Sequence, residues 1–388
     1  MQTMQKATPL EKRIKRRVTA REHTFFIITS PGLSDICLSE MKTLFPEKDL
    51  NTVDGGIEFK GSVRDCYKAN LHLRTASRIL MRVSSLTATS FSVLEKKLSD
   101  FPWELYLSSG QKTEITVSSK KSKLIHSDAI AERFKKNITE RLSGASLTDE
   151  VQTIFIRVFN DRFVISIDST GDLLYKRGIK TEGGKAPIRE TIAAFALLRA
   201  GYDGKRPLID PMCGSGTFSI EAAMIQKNIP AGWFRSFAFT SWPCFREGTW
   251  KDLRRNAESR IIAVDDKSIF ASDIEKTACS VLTKTIEKEE FNQQINIKES
   301  DFFDLQPENL SDKQGLVIIN PPYGLRLGST KESEEMVQRI FDKFEKGYKG
   351  WQFAIISPYT SFMKKSSLKL KKYPVTHGGL KLFLVIGK

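Results

Sequence analysis

Polar and apolar positions along the chain fall into two successive rhythms. From residue 25 the run FFIIT is strand-like, and PGLSDICLSEMKTLF then repeats its apolar residues at helical spacing. GGIEFKG follows as a short strand between glycines, and VRDCYKANLHL as a second helical stretch. Strand, helix, strand and helix in one short segment predict a small α+β unit. In a second unit, Glu114 to Ser118 alternate as a strand, a basic turn follows, and an amphipathic helix opens with Ser127 or Asp128 as its cap. VQTIFIRVFNDRFVISIDST predicts a hairpin turning at Asn160 and Asp161. The Gly-rich, polar stretch GDLLYKRGIKTEGGKAP predicts a linker.

From about residue 187 the rhythm changes. A helix from Pro187 to Ala200 leads into the strand RPLID, the turn PMCGSG and the helix TFSIEAAMIQK. The strands SIFAS, INIKE, LVII and FAIIS come later, with helical stretches between them. Such alternation predicts an α/β domain with a doubly wound, mostly parallel sheet. The end of the chain, YPVTHGGLKLFLVIG, predicts two strands around Gly378 and Gly379, with room for a reversed edge strand.

Charge narrows the partners. The 388 residues hold 61 Lys+Arg against 46 Asp+Glu, a net charge of +15. A field of that sign gathers polyanions, of which nucleic acid is the commonest. No apolar stretch approaches the ~20 residues needed to span a bilayer. The start, MQTMQKATPLEKRIKRRVTAREH, is basic without an apolar segment, so it reads as either a disordered solvated tail or an arm that touches phosphates. The 5 cysteines lack C-x-x-C spacing, and with 4 scattered histidines no zinc pattern emerges. A reducing cytoplasm without a bound metal is the expectation.

The first chemical signal is LIDPMCGSGTFSIEAA. A strand ends at Asp210, and Cys213, Gly214, Gly216 and Thr217 carry a tight turn straight into a helix. Glycines let the backbone bend and let a ligand lie against bare peptide. No Lys-Ser/Thr pair follows them, which excludes a phosphate loop. A carboxylate at the strand end would repel pyrophosphate and attract a cationic amino group, which suits S-adenosylmethionine. The next strand should end in an acid for the ribose hydroxyls, and SIFASDIEKTA offers Asp273, with Glu275 as competitor. The segment between, roughly 227–265, is aromatic and basic; it reads as a surface insertion with its own small core, or as part of substrate binding. After the third strand, Asp301 is placed to accept from an adenine amino group, with Phe302 as an apolar wall; the other reading of Asp301 is a helix cap.

The fourth strand ends in LVIINPPYG. Pro321 and Pro322 stiffen the backbone, and Asn320 brings a side-chain carbonyl acceptor. Together they could hold an exocyclic amino group and aim its nitrogen at a methyl donor, while Tyr323 offers a face for base stacking. A methyl group on a sulfonium needs positioning more than it needs a strong base. Two basic runs suggest phosphate contacts: SSKKSKLIHSDAIAERFKKN, with Lys120, Lys121, Lys123, Arg133, Lys135 and Lys136, and KKSSLKLKK near the C-terminus.

DPMCGSGT with NPPYG resembles the class I S-adenosylmethionine-dependent methyltransferases that act on nucleobase amines. LLYKRGIKTEGGKAPIRETIAAFALLRAG and PAGWFRSFAFTSWP are similar to the THUMP-domain RNA methyltransferases, the bacterial 23S rRNA guanine-N2 group in particular. KSKLIHSDAIAERFKKNI is similar to the THUMP helix region, and FFIITSPGLSDICLSEM to that family's ferredoxin-like part. The charge run sets apart a basic tail (1–22), which the resemblance does not cover. The resemblance implies a ferredoxin-like domain (23–90), a THUMP domain (91–170) and a Rossmann-like methyltransferase domain with a seven-stranded, mostly parallel sheet (171–388). It implies that Asn320, Pro321, Pro322 and Tyr323 receive the base. Asp210, Cys213, Gly214, Gly216, Thr217, Asp273, Asp301, Phe302 and Asn320 would bind S-adenosylmethionine. The implied partner is structured RNA, rRNA or tRNA. The competing readings are a DNA adenine-N6 enzyme, against which the THUMP-like half speaks, and an RNA-binding protein without activity, against which the intact Asp210, Gly214, Gly216 and Asn320 speak.

Overall fold

The computed structural model describes residues 7–142, 150–179, 188–264, 266–322, 330–364 and 366–388. Its first element is the helix α1 (Pro9–Ile14), continued by a π-helical turn over Lys15–Thr19. From residue 7 on, the basic segment read as a tail or an arm is therefore helical and docked, with Ile14 and Val18 buried against the N-terminal core.

The two predicted α+β units share one sheet. Its strands are β1 (His23–Thr29), β2 (Leu50–Val53), β3 (Gly56–Gly61), β4 (Ala76–Thr87), β5 (Lys112–Lys120), β6 (Val151–Phe159) and β7 (Arg162–Asp168), in the order β2-β3-β1-β4-β7-β6-β5. β4 joins the units, pairing with β1 along its first half and with β7 along its second. The helices α2 (Ser34–Leu44) and α3 (Val63–His72) serve the first unit, and α4 (Phe91–Ser99) and α5 (Ser127–Arg141) the second. The cap position of α5 is His126, which makes no side-chain capping bond; Ser127 is already helical. Asn160 and Asp161 form the hairpin turn with φ of 50° and 59°, the left-handed pair that such two-residue turns require.

The second sheet holds β8 (Leu208–Asp210), β9 (Ile269–Asp273), β10 (Ile295–Glu299), β11 (Leu316–Ile319), β12 (Gln352–Ser357), β13 (Leu370–His377) and β14 (Leu380–Gly387), in the order β10-β9-β8-β11-β12-β14-β13. β8 to β12 pair in parallel, and the reversed strand β14 sits between β12 and the outermost β13. The helices are α6 (Glu190–Arg199), α7 (Thr217–Gln226), α8 (Glu247–Glu258), α9 (Lys276–Lys288) and α10 (Thr330–Gly347). The chain leaves β8 toward β9 and β10, then returns to build β11 and β12 on the other side. In such sheets ligands bind at this reversal, beyond the carboxyl ends of the strands. Asp210 and Asn320 flank that point.

The aromatic insertion has no core of its own. Phe237, Phe239, Trp242 and Cys244 join the core of the N-terminal unit, with Tyr67 of α3 stacked 4.3 Å from Phe239. Trp242 Nε1 donates to Gln152 Oε1 of β6 at 2.9 Å. The insertion thus ties both N-terminal units to the second sheet.

Candidate functional site

β8 delivers Asp210 to the reversal point with no solvent exposure. The first turn of α7 places Ser219 against it, and Ser219 Oγ donates to Asp210 Oδ2 at 2.7 Å. Asp210 Oδ1 has no partner. Burial first of all pushes this carboxyl up to about 7; the Ser219 hydrogen bond opposes the rise and the nearby Asp273 adds to it. Buried polar atoms are almost always satisfied, so an orphaned oxygen here points to an absent donor. Two more orphans lie on the flanking strand ends: Ser272 Oγ on β9 and Asn320 Oδ1 just past β11. Three adjacent strands therefore each present an unpaired polar atom at the same edge.

The two glycines of the turn do different work. Gly214 (φ +52°) faces open space, with no atom within 4 Å of where a Cβ would sit. At Gly216 (φ +81°) a Cβ would stand 2.2 Å from Leu282 Cδ1 of α9. Ligand approach is thus available at Gly214, whereas Gly216 permits helix packing. Cys213 is buried, and burial raises its thiol well above the ordinary value, so it is a poor nucleophile. Thr217 begins α7 beside them.

Asp273 is partly committed to the fold. Its Oδ2 accepts from the Gly214 amide at 2.8 Å and its Oδ1 from the Glu275 amide at 3.0 Å. Each carboxylate oxygen has capacity for a further donor, so the residue both shapes the glycine turn and can still meet a hydroxyl. Glu275 is the cap residue of α9. Asp301 does cap: its Oδ1 accepts from the Phe303 amide at 2.9 Å, opening a one-turn 3₁₀ helix. Its Oδ2 remains for a second donor. Phe302 is buried in the core beside Tyr348, and the half-buried ring in this stretch is Phe303. Pro321 is buried behind Asn320, Pro322 is half-buried, and Tyr323 lies outside the described residues.

These residues fit a ligand with a cationic amino group, vicinal hydroxyls and a base amine: an unpaired buried carboxylate oxygen, a carboxylate on the neighbouring strand and a third one beyond it. Ser219 and Ser272 were not anticipated. The signal for Ser219 was its place on the first turn of the helix behind the glycines; Ser272 was visible only as the residue before Asp273.

Among the basic residues, Lys120, Lys121, Lys123, Lys135 and Lys136 are exposed. Arg133 is not free: its guanidinium lies 3.7 Å over the Phe91 ring and pairs with Glu95 at 3.1 Å, tying α5 to α4. Among the described residues no group of His, Cys, Asp and Glu could hold a metal ion, and no helix is long and apolar enough to cross a membrane.

A doubly wound sheet with a reversed strand next to its edge and a carboxylate, rather than a phosphate loop, at its reversal point is the arrangement of the Rossmann-like methyltransferases. Residues 177–385 match the RMKL-like methyltransferase domain, residues 24–80 the RlmL ferredoxin-like domain and residues 88–168 the THUMP domain. The chain belongs to the RMKL-like methyltransferase family. YpsC of Bacillus subtilis, provisionally named an RNA methyltransferase, is 31% identical over 84% of this chain and 85% of its own. The ribosomal RNA large subunit methyltransferase K/L of Psychromonas ingrahamii is 30% identical over 90% of this chain but only 48% of its own length. The chain therefore spans about half the length of such K/L relatives. The crystal structure of SMU.472, provisionally a methyltransferase and complexed with SAH, superposes with a TM-score of 0.83 at 29% identity, covering 94% of this chain and 98% of that one.

Proposed function

We propose that this protein transfers a methyl group from S-adenosylmethionine to the exocyclic N2 amine of a guanine in structured RNA, 23S rRNA first and tRNA as the other candidate. The observation that carries the reading is the pair of orphaned buried oxygens on the two strands that flank the reversal point, Asp210 Oδ1 and Asn320 Oδ1. S-adenosylmethionine, when bound, supplies a methyl group on a sulfonium, which leaves readily. Asp210 Oδ1 accepts from the ammonium of the donor, Asp273 meets its ribose hydroxyls, and Asp301 Oδ2 its adenine amine. Asn320 Oδ1 accepts a hydrogen from the substrate amino group and holds the nitrogen lone pair toward the crevice, while Pro321 keeps the carrier backbone rigid. The amine proton displaced in the transfer leaves to water. A guanine inside a helix cannot reach this bend, so the target is unstacked or already unpaired. The exposed THUMP lysines hold the surrounding RNA by its phosphates. The names of the K/L relatives and of YpsC support RNA as substrate.

The test is tritiated-methyl transfer to total RNA from cells lacking the protein, separated by size and digested to nucleosides. Label in N2-methylguanosine of the large rRNA is expected, and Asn320→Ala should remove it while donor binding persists. Label in N6-methyladenosine, or only in the tRNA fraction, would replace the guanine or the rRNA part of the reading.

A further inference from the structure

Residues 7–22 precede every matched family segment, and the site chemistry above does not use them. They are nevertheless built with care. Thr8 and Glu11 close a capping box, with the Thr8 amide donating to Glu11 Oε2 at 2.7 Å and the Glu11 amide to Thr8 Oγ1 at 3.2 Å. Ile14 and Val18, one turn apart, are buried in the core, and His23 Nε2 lies 2.8 Å from the Val18 carbonyl oxygen. Arg13 pairs with Glu104 at 2.8 Å, and the same carboxylate takes Arg141, the last residue of α5, at 3.2 Å. That shared acid fixes the arm beside the end of the THUMP helix that carries the exposed Lys135 and Lys136.

From residue 12 to 21 every exposed side chain but Ala20 is cationic, with Leu10, Glu11 and Glu22 exposed on either side. Lys12, Lys15, Arg16, Arg17 and Arg21 are exposed, and none forms an ion pair among the described residues. Lys12 and Arg16 are like charges four residues apart within the helical segment, an arrangement that disfavours a helix, and Arg17 and Arg21 add further positive charge at its end. The arm stays docked in spite of that repulsion, through its cap, its two buried aliphatic residues and the Glu104 clamp. A row of phosphates would relieve the repulsion, whereas a neutral or basic partner would not.

We infer that the helical arm over residues 7–22 is an RNA-phosphate contact that extends the basic face of α5 onto the N-terminal unit. The inference rests on the RNA reading above and adds a contact surface to it. Its test is the salt dependence of binding to a transcript of large-subunit rRNA. The variant Lys15→Gln/Arg16→Gln/Arg17→Gln is compared with wild type and with Lys205→Gln/Lys267→Gln/Lys284→Gln, three exposed lysines elsewhere with the same total change in charge. Each phosphate contact contributes roughly 0.7–0.9 to the slope of log affinity against log salt. The arm variant should therefore lose about 2 from that slope and bind about tenfold more weakly in low salt, with its donor affinity unchanged and its melting temperature no lower than wild type. A slope equal to wild type, or a loss no greater than in the control variant, overturns the inference. Wild-type protein that shows no salt-dependent RNA binding overturns the RNA reading first, and the inference with it.

Discussion

Asp210 is the residue on which fold and function pull against each other. Its carboxyl holds a proton in the folded chain up to about 7, against 3.8 for an ordinary aspartate. Between those values the folded state binds a proton that the unfolded chain has released, so stability falls as pH rises through this window and the loss is complete above it. Asp210→Asn, neutral throughout, should melt near wild type at acidic pH. Above pH 7 it should melt higher, by a free energy on the order of a few kcal/mol. Thermal melts of the donor-free protein at several pH values read this directly. The same variant should bind S-adenosylmethionine far more weakly by calorimetry, because an amide offers the ammonium no counter-charge. The glycines allow a second separation at this scale. Gly214→Ala has space for its methyl group, so it should fold with a loss of ~1–2 kcal/mol for its left-handed backbone yet hinder the donor. Gly216→Ala, driven into Leu282, should lower the melting temperature sharply whether or not the donor is present.

Between elements, the decisive feature is a buried charge cluster at the junction of the two sheets. Glu221 of α7 accepts from Arg177 Nε at 2.6 Å and, more loosely, from Arg74 Nη1 at 3.5 Å. Arg177 also donates to the carbonyl oxygens of Arg74 and Leu174. Glu40 of α2 accepts from the amides of Arg74 and Thr75 and from the Thr75 hydroxyl. Glu221→Gln would leave the buried Arg177 guanidinium without its ion pair and Arg74 with only Glu40 nearby, a loss of about 3–5 kcal/mol, visible as a large drop in melting temperature. Removing the exposed Glu247–Lys251 pair should leave that temperature unchanged. The strands and helices of the second sheet were legible in the sequence because each is a local run with its own period. The junction was not. Arg74, Arg177 and Glu221 are far apart along the chain and belong to no pattern, and the insertion's aromatic residues read as a private core because their partner Tyr67 is remote in sequence. Asp301 illustrates a different limit: a strand-end acid followed by aromatic residues serves equally well as cap or ligand, and the structure assigns one oxygen to capping.

For the whole molecule, the +15 charge becomes a property of surfaces. Lys120, Lys121 and Lys123 surround the turn that meets the β6–β7 hairpin, where the Lys123 amide donates to Asp161 Oδ1 at 2.6 Å. Replacing the three by glutamine should flatten the salt dependence of RNA binding by about 2 in logarithmic slope, measured by filter binding across salt concentrations. Arg133, bound to Phe91 and Glu95, should contribute to the stability of the THUMP unit instead.

The sequence by itself determined the order of elements, the acids and amide at the strand ends and the basic balance, since periodicity, glycine turns and charge are local or additive quantities. Only the tertiary structure decided which polar atoms are sealed from water without a partner, which glycine faces a ligand and which a helix, and that the insertion's aromatic residues complete the core of the first N-terminal unit. Burial depends on everything that surrounds a group. No short stretch of chain contains that information.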